Sequence, residues 1–323
     1  MIFNWGFVGC STILPSFIEG LKTLSNANCY AVASRNLNRA KEFSDKYKIS
    51  KHYGSYEELV KDKEVDIVYI STTNDLHKEN VLLCLNAGKH VLCEKPLTLS
   101  YDDTKELVDL AREKNLFFME GLWTMFLPTF VKLRELIEQK IIGEVKMIRA
   151  DFGFTNDWGI ERRLLNKQLG GGTLMDNGIY PISLPLFIFG IQPDTIQTFC
   201  KIGETGVDEY SCYLLSYNSG EVATLSSSIR LSTPQDAIII GTKGYIVLPD
   251  FWHGNKLILY LDNKEKETFN LIYESTGYNY EAKEVMDCIE SGKKESEIMN
   301  LNKTLEIAKL MNNIREKLNI KFD

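Results

Sequence analysis

Metal-ligand spacing is missing from this chain. Its seven cysteines (10, 29, 84, 93, 200, 212 and 288) form no C-x-x-C pair, and its four histidines (52, 77, 90 and 253) are scattered. That distribution suggests neither a zinc site nor a disulfide framework. Thiols set mostly in apolar runs read instead as free cysteines of a reducing cytoplasm. An excess of positive charge is lacking too: 37 Lys+Arg stand against 44 Asp+Glu, a formal net charge of -7 spread along the sequence. No nucleic-acid or anionic-membrane partner is expected from such a balance. There is no apolar run of membrane length, and Met1 to Gly6 lacks the basic and apolar regions of a signal peptide. Repeats and low-complexity tracts are absent. What is present is an ordinary globular composition, 44% hydrophobic and 25% charged over 323 residues, enough chain for two domains.

The first half alternates strands and helices. Phe3 to Gly9 reads as a strand running into Gly9-Cys10-Ser11-Thr12-Ile13-Leu14, the register of the dinucleotide fingerprint G-x-G-x-x-G. Gly9 keeps the tight turn, but Ser11 and Leu14 replace the second and third glycines. Ser11 is small and, in a loop with Thr12 and Ile13, still brings a hydroxyl to a helix N-terminus, where unpaired N–H groups favour phosphate. A second strand over 28–33 ends in Ser34-Arg35, with Arg39 about one turn on. An NAD site usually places an acid there for the ribose 2′-hydroxyl. One hydroxyl and two guanidiniums suit a 2′-phosphate better, so NADP is expected, with NAD the lesser alternative.

Val65 to Ile70 is a near-continuous apolar run, the mark of a strand covered on both faces, followed by Ser71-Thr72-Thr73-Asn74 and a helix carrying His77. Val91-Leu92-Cys93 is the next buried strand, and it delivers Glu94 and Lys95 to its carboxyl end. Pro96 pushes Lys95 out of helical geometry, and the carboxyl ends of parallel strands are where open α/β sheets bind ligands. A further strand over 116–119 closes in Glu120-Gly121-Leu122-Trp123. This rhythm predicts a doubly wound parallel sheet, a dinucleotide-binding Rossmann domain over residues 1–122.

Beyond Trp123 the pattern changes, with no Pro/Gly/Ser linker between the halves. A helix over 130–139 leads into strands at 144–154, 208–217, 221–229, 236–241, 244–248 and 256–261, several alternating apolar and polar. Helices over 280–291 and 301–318 finish the chain. The expectation for 123–323 is an α+β domain on an open, largely antiparallel sheet, whose uncovered face suits a homodimer. Within it, Gly170-Gly171-Gly172 permits a sharp turn or close backbone approach, and a helix follows. Asp176 and Tyr180, four apart, share one helical face. A first-turn aspartate and a core tyrosine would leave the same trace.

Together, Glu94-Lys95-Pro96, Thr73-Asn74-x-x-His77 and Gly170-Gly171-Gly172 leading to Asp176-x-x-x-Tyr180 resemble the Gfo/Idh/MocA oxidoreductases nearly end to end. The resemblance implies a cis Lys95–Pro96 peptide, with Lys95 beside a nicotinamide and with Thr72, Asn74, His77, Glu94 and Trp123 near the cofactor. Tyr180, with Glu120-Gly121-Leu122-Trp123-Thr124, looks like the branch of dimeric dihydrodiol and NADP-linked xylose dehydrogenases. Met125 departs from the arginine frequent there. The expected activity is hydride transfer between the nicotinamide and a secondary alcohol or carbonyl of a sugar, cyclic polyol or trans-dihydrodiol. Tyr180 is the expected acid/base and Lys95 the group that holds the substrate oxygen, with the reversed assignment as the alternative and Asp176 positioning substrate or Lys95. Trp123, Phe154, Trp252 and Tyr278 are candidate pocket walls. The alternative is a catalytically silent NADP-binding regulator of the same fold, which retention of the lysine and tyrosine argues against.

Overall fold

Strands that are apolar along their whole length need cover on both faces, and the first half of the chain supplies it. In the computed structural model, which describes residues 1–155, 159, 162–262 and 264–322, there are two compact units. One is Met1–Phe126 with Glu274–Leu305; the other is Leu127–Tyr273 with Glu306–Asp323.

The first unit runs β1 (Phe3–Val8), α1 (Leu14–Leu21), β2 (Ala27–Ala33), α2 (Leu37–Tyr47), β3 (Lys51–Tyr53), α3 (Tyr56–Lys61), β4 (Ile67–Ile70), α4 (His77–Asn86), β5 (His90–Glu94), α5 (Tyr101–Lys114) and β6 (Phe118–Gly121). Its strands form one sheet in the order β3-β2-β1-β4-β5-β6, every pairing parallel. The order reverses at β1, between β2 and β4, and a ligand crevice opens outside the carboxyl ends at such a switch. Trp5, Phe7, Phe17 and Tyr69 fill the core there, with Phe17 stacked on Tyr69 at 3.7 Å between ring centroids. Helix caps follow the local sequence: Asn36, Ser55 and Ser100 each accept a backbone N–H three residues on.

The second unit carries α6 (Pro128–Glu138), β7 (Val145–Gly153), α7 (Ile179–Phe189), β8 (Thr195–Ile202), β9 (Asp208–Ser216), β10 (Val222–Ser228), β11 (Ala237–Gly241), β12 (Gly244–Leu248), β13 (Lys256–Leu261) and β14 (Lys264–Asn270). Its sheet has eight strands in the order β14-β13-β12-β11-β7-β10-β9-β8, antiparallel except where β7 meets β10. One face packs on α6 and α7. The other leaves Phe199, Leu214 and Met147 exposed on cross-strand positions of one surface, Phe199 at 64%.

α8 (Tyr278–Glu290) and the start of α9 (Leu301–Lys317) return to the first unit. Three strands exceed the sequence expectation: β3, β8 and β14. β3 is three residues long, and β14 is a charged sheet edge, Lys264-Glu265-Lys266-Glu267, with no apolar alternation to reveal it.

Candidate active site

The turn after β1 is built for close approach. Gly9 has φ +97°, a region that L side chains rarely adopt, and a Cβ there would meet Thr72 Cγ2 at 3.1 Å. Ser11 donates its hydroxyl to Ser71 Oγ at 2.8 Å and accepts the Leu14 N–H at 3.3 Å, so it closes the first turn of α1. Arg39 donates to the Cys10 carbonyl at 2.6 Å, which ties the guanidinium to this loop. Burial raises the Cys10 thiol pKa, opposed by the Arg39 charge and a hydrogen bond with Ser34. The Tyr56 hydroxyl is likewise raised by burial and opposed by the charges of Arg35 and Arg39. Ser34, Arg35 and Arg39 therefore gather around the Cys10 loop. Tyr56, which periodicity alone marks as a helix residue, joins them. A glycine at positive φ, a helix N-terminus and two guanidiniums with a buried hydroxyl fit a dinucleotide phosphate chain.

Next along the sheet, the Lys95–Pro96 peptide is cis, as the family resemblance implies. His77 is fully buried, its Nδ1 2.9 Å from the Pro96 carbonyl oxygen and its Nε2 3.1 Å from that of Thr72. It braces the loops after β4 and β5. Asn74 is buried beside it in sequence, and Asn80 donates to Thr72 Oγ1 at 3.1 Å. Glu94 accepts the Tyr69 hydroxyl. Glu120, at the end of β6, accepts the Leu97 N–H at 2.9 Å. Burial pushes Glu120 up to about 7, while the Lys95 charge pulls the other way and that of Glu94 adds to the rise. Trp123 stacks on Tyr278 with ring centroids 4.6 Å apart.

The second unit organises Asp176 and Tyr180. Asp176 lies in a wide π-type turn, Leu174–Gly178, that leads directly into α7; such turns recur at functional sites. Its Oδ1 is 2.7 Å from Arg163 Nη1. Asn177 donates to the carbonyls of Phe152 (2.6 Å) and Ser228 (2.9 Å), seating the turn on the ends of the parallel pair β7/β10. Asp208 accepts the Leu174 N–H at 2.9 Å and the Ser211 hydroxyl at 3.0 Å. Burial raises Asp208 to about 7 against those hydrogen bonds. Tyr180 is 5% exposed inside an aromatic box, 5.4 Å from Phe152 and 5.9 Å from Trp252 between centroids. Phe152 also stacks on Trp252 at 4.6 Å and meets Phe154 at 6.0 Å. Trp252 is held by its indole N–H to Gln235 Oε1 at 2.7 Å.

Arg163, Asn177, Asp208, Phe152 and Gln235 carry no local sequence signal, because each acts on a partner distant in sequence or through its own turn. Gly172 does carry one. Its φ is +108°, and a Cβ would lie 2.1 Å from Asp208 Oδ1. Gly172→Ala is expected to cost about 3 kcal/mol or more from a strained backbone and a buried clash. Thermal unfolding that matched the parent would contradict this.

Among the described residues no group of three or more His, Cys, Asp or Glu side chains could hold a metal ion. No helix among them is long and apolar enough to cross a membrane.

Comparison with known proteins places this geometry. A model described as the oxidoreductase family with NAD-binding Rossmann fold, Gfo/Idh/MocA, matches residues 3–122, and the Gfo/Idh/MocA C-terminal domain matches 130–247. Trans-1,2-dihydrobenzene-1,2-diol dehydrogenase of Mus musculus is 38% identical over 333 residues, covering 100% of this chain and 98% of that one. The Xenopus tropicalis protein of the same name is 36% identical over 334 residues and 100% of both. This chain belongs to the Gfo/Idh/MocA oxidoreductase family. Solved structures share the fold at lower identity. Aldose-aldose oxidoreductase of Caulobacter crescentus has a TM-score of 0.90 at 20% identity, covering 99% of this chain and 98% of that one. KijD10, a 3-ketoreductase from Actinomadura kijaniata in complex with NADP and TDP-benzene, has a TM-score of 0.87 at 23% identity and covers 98% of each chain. As a member of this oxidoreductase family, the chain is an enzyme whose first domain binds a nicotinamide dinucleotide.

Proposed function

We propose that the chain oxidises a secondary alcohol of a trans-dihydrodiol or a related cyclic polyol or sugar with NADP, residues 1–122 holding the dinucleotide and 123–323 recognising the substrate. The observation that carries the reading is Tyr180, flanked by Phe152 and Trp252 on the helix entered from the Asp176 turn. A polar tip in an apolar aromatic box fits a flat, mostly hydrocarbon diol. The names of the whole-length relatives point to the same substrate class.

Tyr180 takes the hydroxyl proton as the carbon–hydrogen bond breaks, and Lys95 holds the substrate oxygen through its ammonium. A cation at that oxygen favours the alkoxide-like state that hydride loss requires. Bound nicotinamide supplies the hydride acceptor. Asp176, paired with Arg163, orients the second hydroxyl. Gly9, Ser11, Thr12 and Ile13 hold the pyrophosphate, and Thr72, Asn74, His77 and Glu94 shape the floor beneath the ring. Trp123 and Tyr278 form a stacked wall. The enzyme works in the cytoplasm, and the exposed apolar face bearing Phe199 and Leu214 fits pairing with a second copy.

Turnover of a panel of trans-dihydrodiols, inositols and aldoses, followed by near-ultraviolet absorbance of reduced cofactor, tests the substrate class. The diols are expected to give the highest kcat/KM; activity confined to aldoses would overturn the choice. For the cofactor, Arg39→Ala is expected to raise the KM for NADP by about tenfold or more, the scale of one charge-assisted hydrogen bond. The KM for NAD should move far less. Equal changes with both cofactors would remove Arg39 from 2′-phosphate recognition.

A further inference from the structure

Glu281 is an acid with nowhere to place a charge. It stands in the first turn of α8, 0% exposed, and neither carboxyl oxygen has a hydrogen-bond partner. Its position is the carboxyl end of the parallel sheet: a methyl group on Gly121 would lie 3.6 Å from Glu281 Oε2 and 3.6 Å from Glu94 Cα. Three buried carboxyls thus gather where β5 and β6 end. Glu94 accepts from Tyr69 and Glu120 accepts from the Leu97 N–H, whereas Glu281 accepts from no donor.

The groups that face this cluster are few. β4 brings the Tyr69 hydroxyl, β5 brings the Cys93 thiol, Glu94 and then Lys95, β6 brings Glu120, and α8 itself brings Tyr278. The turn Trp123–Phe126, packed against α8, contains no ionisable side chain, and α1, also packed there, contributes only Glu19, which is exposed. A carboxylate stripped of water and given no donor is strongly disfavoured, and a second anion beside it worsens matters. The helix dipole favours an anion in the first turn, but only weakly by comparison. Burial and the Glu94 charge both hold the Glu281 proton well above the usual carboxylate range.

We propose that Glu281 is a buried pH-sensitive acid that stands neutral behind Glu94, so that the strand end carrying Lys95 bears one carboxylate fewer until the proton is lost. The role rests on the function given above, because it reaches the substrate only through Glu94 and Lys95. With Glu281 ionised, an added buried anion binds the Lys95 ammonium more tightly and weakens its field at the substrate oxygen. Activity then falls on the alkaline side for a reason unrelated to Tyr180.

The sign for stability follows from the same proton. Its affinity is higher in the folded chain than in the unfolded one, so its stabilising contribution is full below the ordinary carboxylate range and is lost as pH climbs through the raised folded value. Glutamine cannot ionise and escapes that loss.

The experiment compares Glu281→Gln and Glu281→Met with the parent, by melting temperature and by kcat with NADP and a trans-dihydrodiol, from about pH 5 to about pH 9. Both variants should gain melting temperature relative to the parent as pH rises. The ratio of variant to parent kcat should climb at least threefold over the alkaline half. Parallel melting curves in an active parent would overturn the proposal, as would failure of both variants to fold. Diverging melting curves with superimposable rate profiles would reduce Glu281 to a structural residue and overturn its link to Lys95. If the parent oxidises none of the diols, inositols or aldoses, the function itself fails and this role with it.

Discussion

Tyr180→Phe is expected to lower kcat for diol oxidation by about two to four orders of magnitude, the usual scale for removing a positioned general acid–base group. The replacement keeps the ring that meets Phe152 at 5.4 Å and Trp252 at 5.9 Å, so the aromatic box survives and only a hydroxyl is lost. Affinity for NADP, measured by calorimetric titration, should match that of the parent, because the residues assigned to the dinucleotide all lie in the first unit. An unchanged kcat would take Tyr180 out of proton transfer and leave Lys95 as the acceptor. A loss of NADP affinity of the same size would mean that the box supports cofactor binding instead.

Lys95→Met is expected to cost about two to three orders of magnitude in kcat, the scale of one well-placed donor to a developing oxyanion. Methionine preserves most of the side-chain volume, so the loss reports the charge. It also has a signature in stability. The Lys95 cation opposes the rise of Glu120, which nevertheless reaches about 7. Without the cation Glu120 should titrate higher still. A carboxyl raised in the folded state stabilises fully below its ordinary range and loses that contribution as pH climbs through the folded value. The variant should therefore lose melting temperature more steeply than the parent as pH rises beyond neutrality. A flat comparison would show that Lys95 and Glu120 do not share a field.

Much of this was legible in the sequence for identifiable reasons. Val65 to Ile70 is a near-continuous apolar run broken only by Asp66, and Val91 to Cys93 is an unbroken one; strands covered on both faces read that way, so the parallel sheet could be anticipated. Lys95 was visible because Pro96 limits its backbone. Gly172 was visible as part of a glycine run, and its φ of +108° gives the run a physical cause. Glu281 was not legible, since a glutamate in a helix of mixed composition normally faces water; only the fold buries it behind Glu94. Asp208 and Arg163 were hidden likewise. Each meets the Asp176 turn through chain folding, Asp208 at Leu174 and Arg163 at Asp176 itself, and no spacing rule links residues so far apart. β14 escaped because charged edge residues suppress the alternation by which strands are recognised.

The most direct test of the central claim follows one hydrogen atom. A trans-dihydrodiol carrying deuterium at the carbinol carbon is incubated with the enzyme and NADP, and the reduced cofactor is weighed by mass spectrometry. The account predicts reduced nicotinamide carrying that deuterium, formed mole for mole with oxidised diol by the parent and at a much lower rate by Tyr180→Phe. Deuterium released to solvent, or tightly bound NADP that stays oxidised in the presence of every diol, would contradict it.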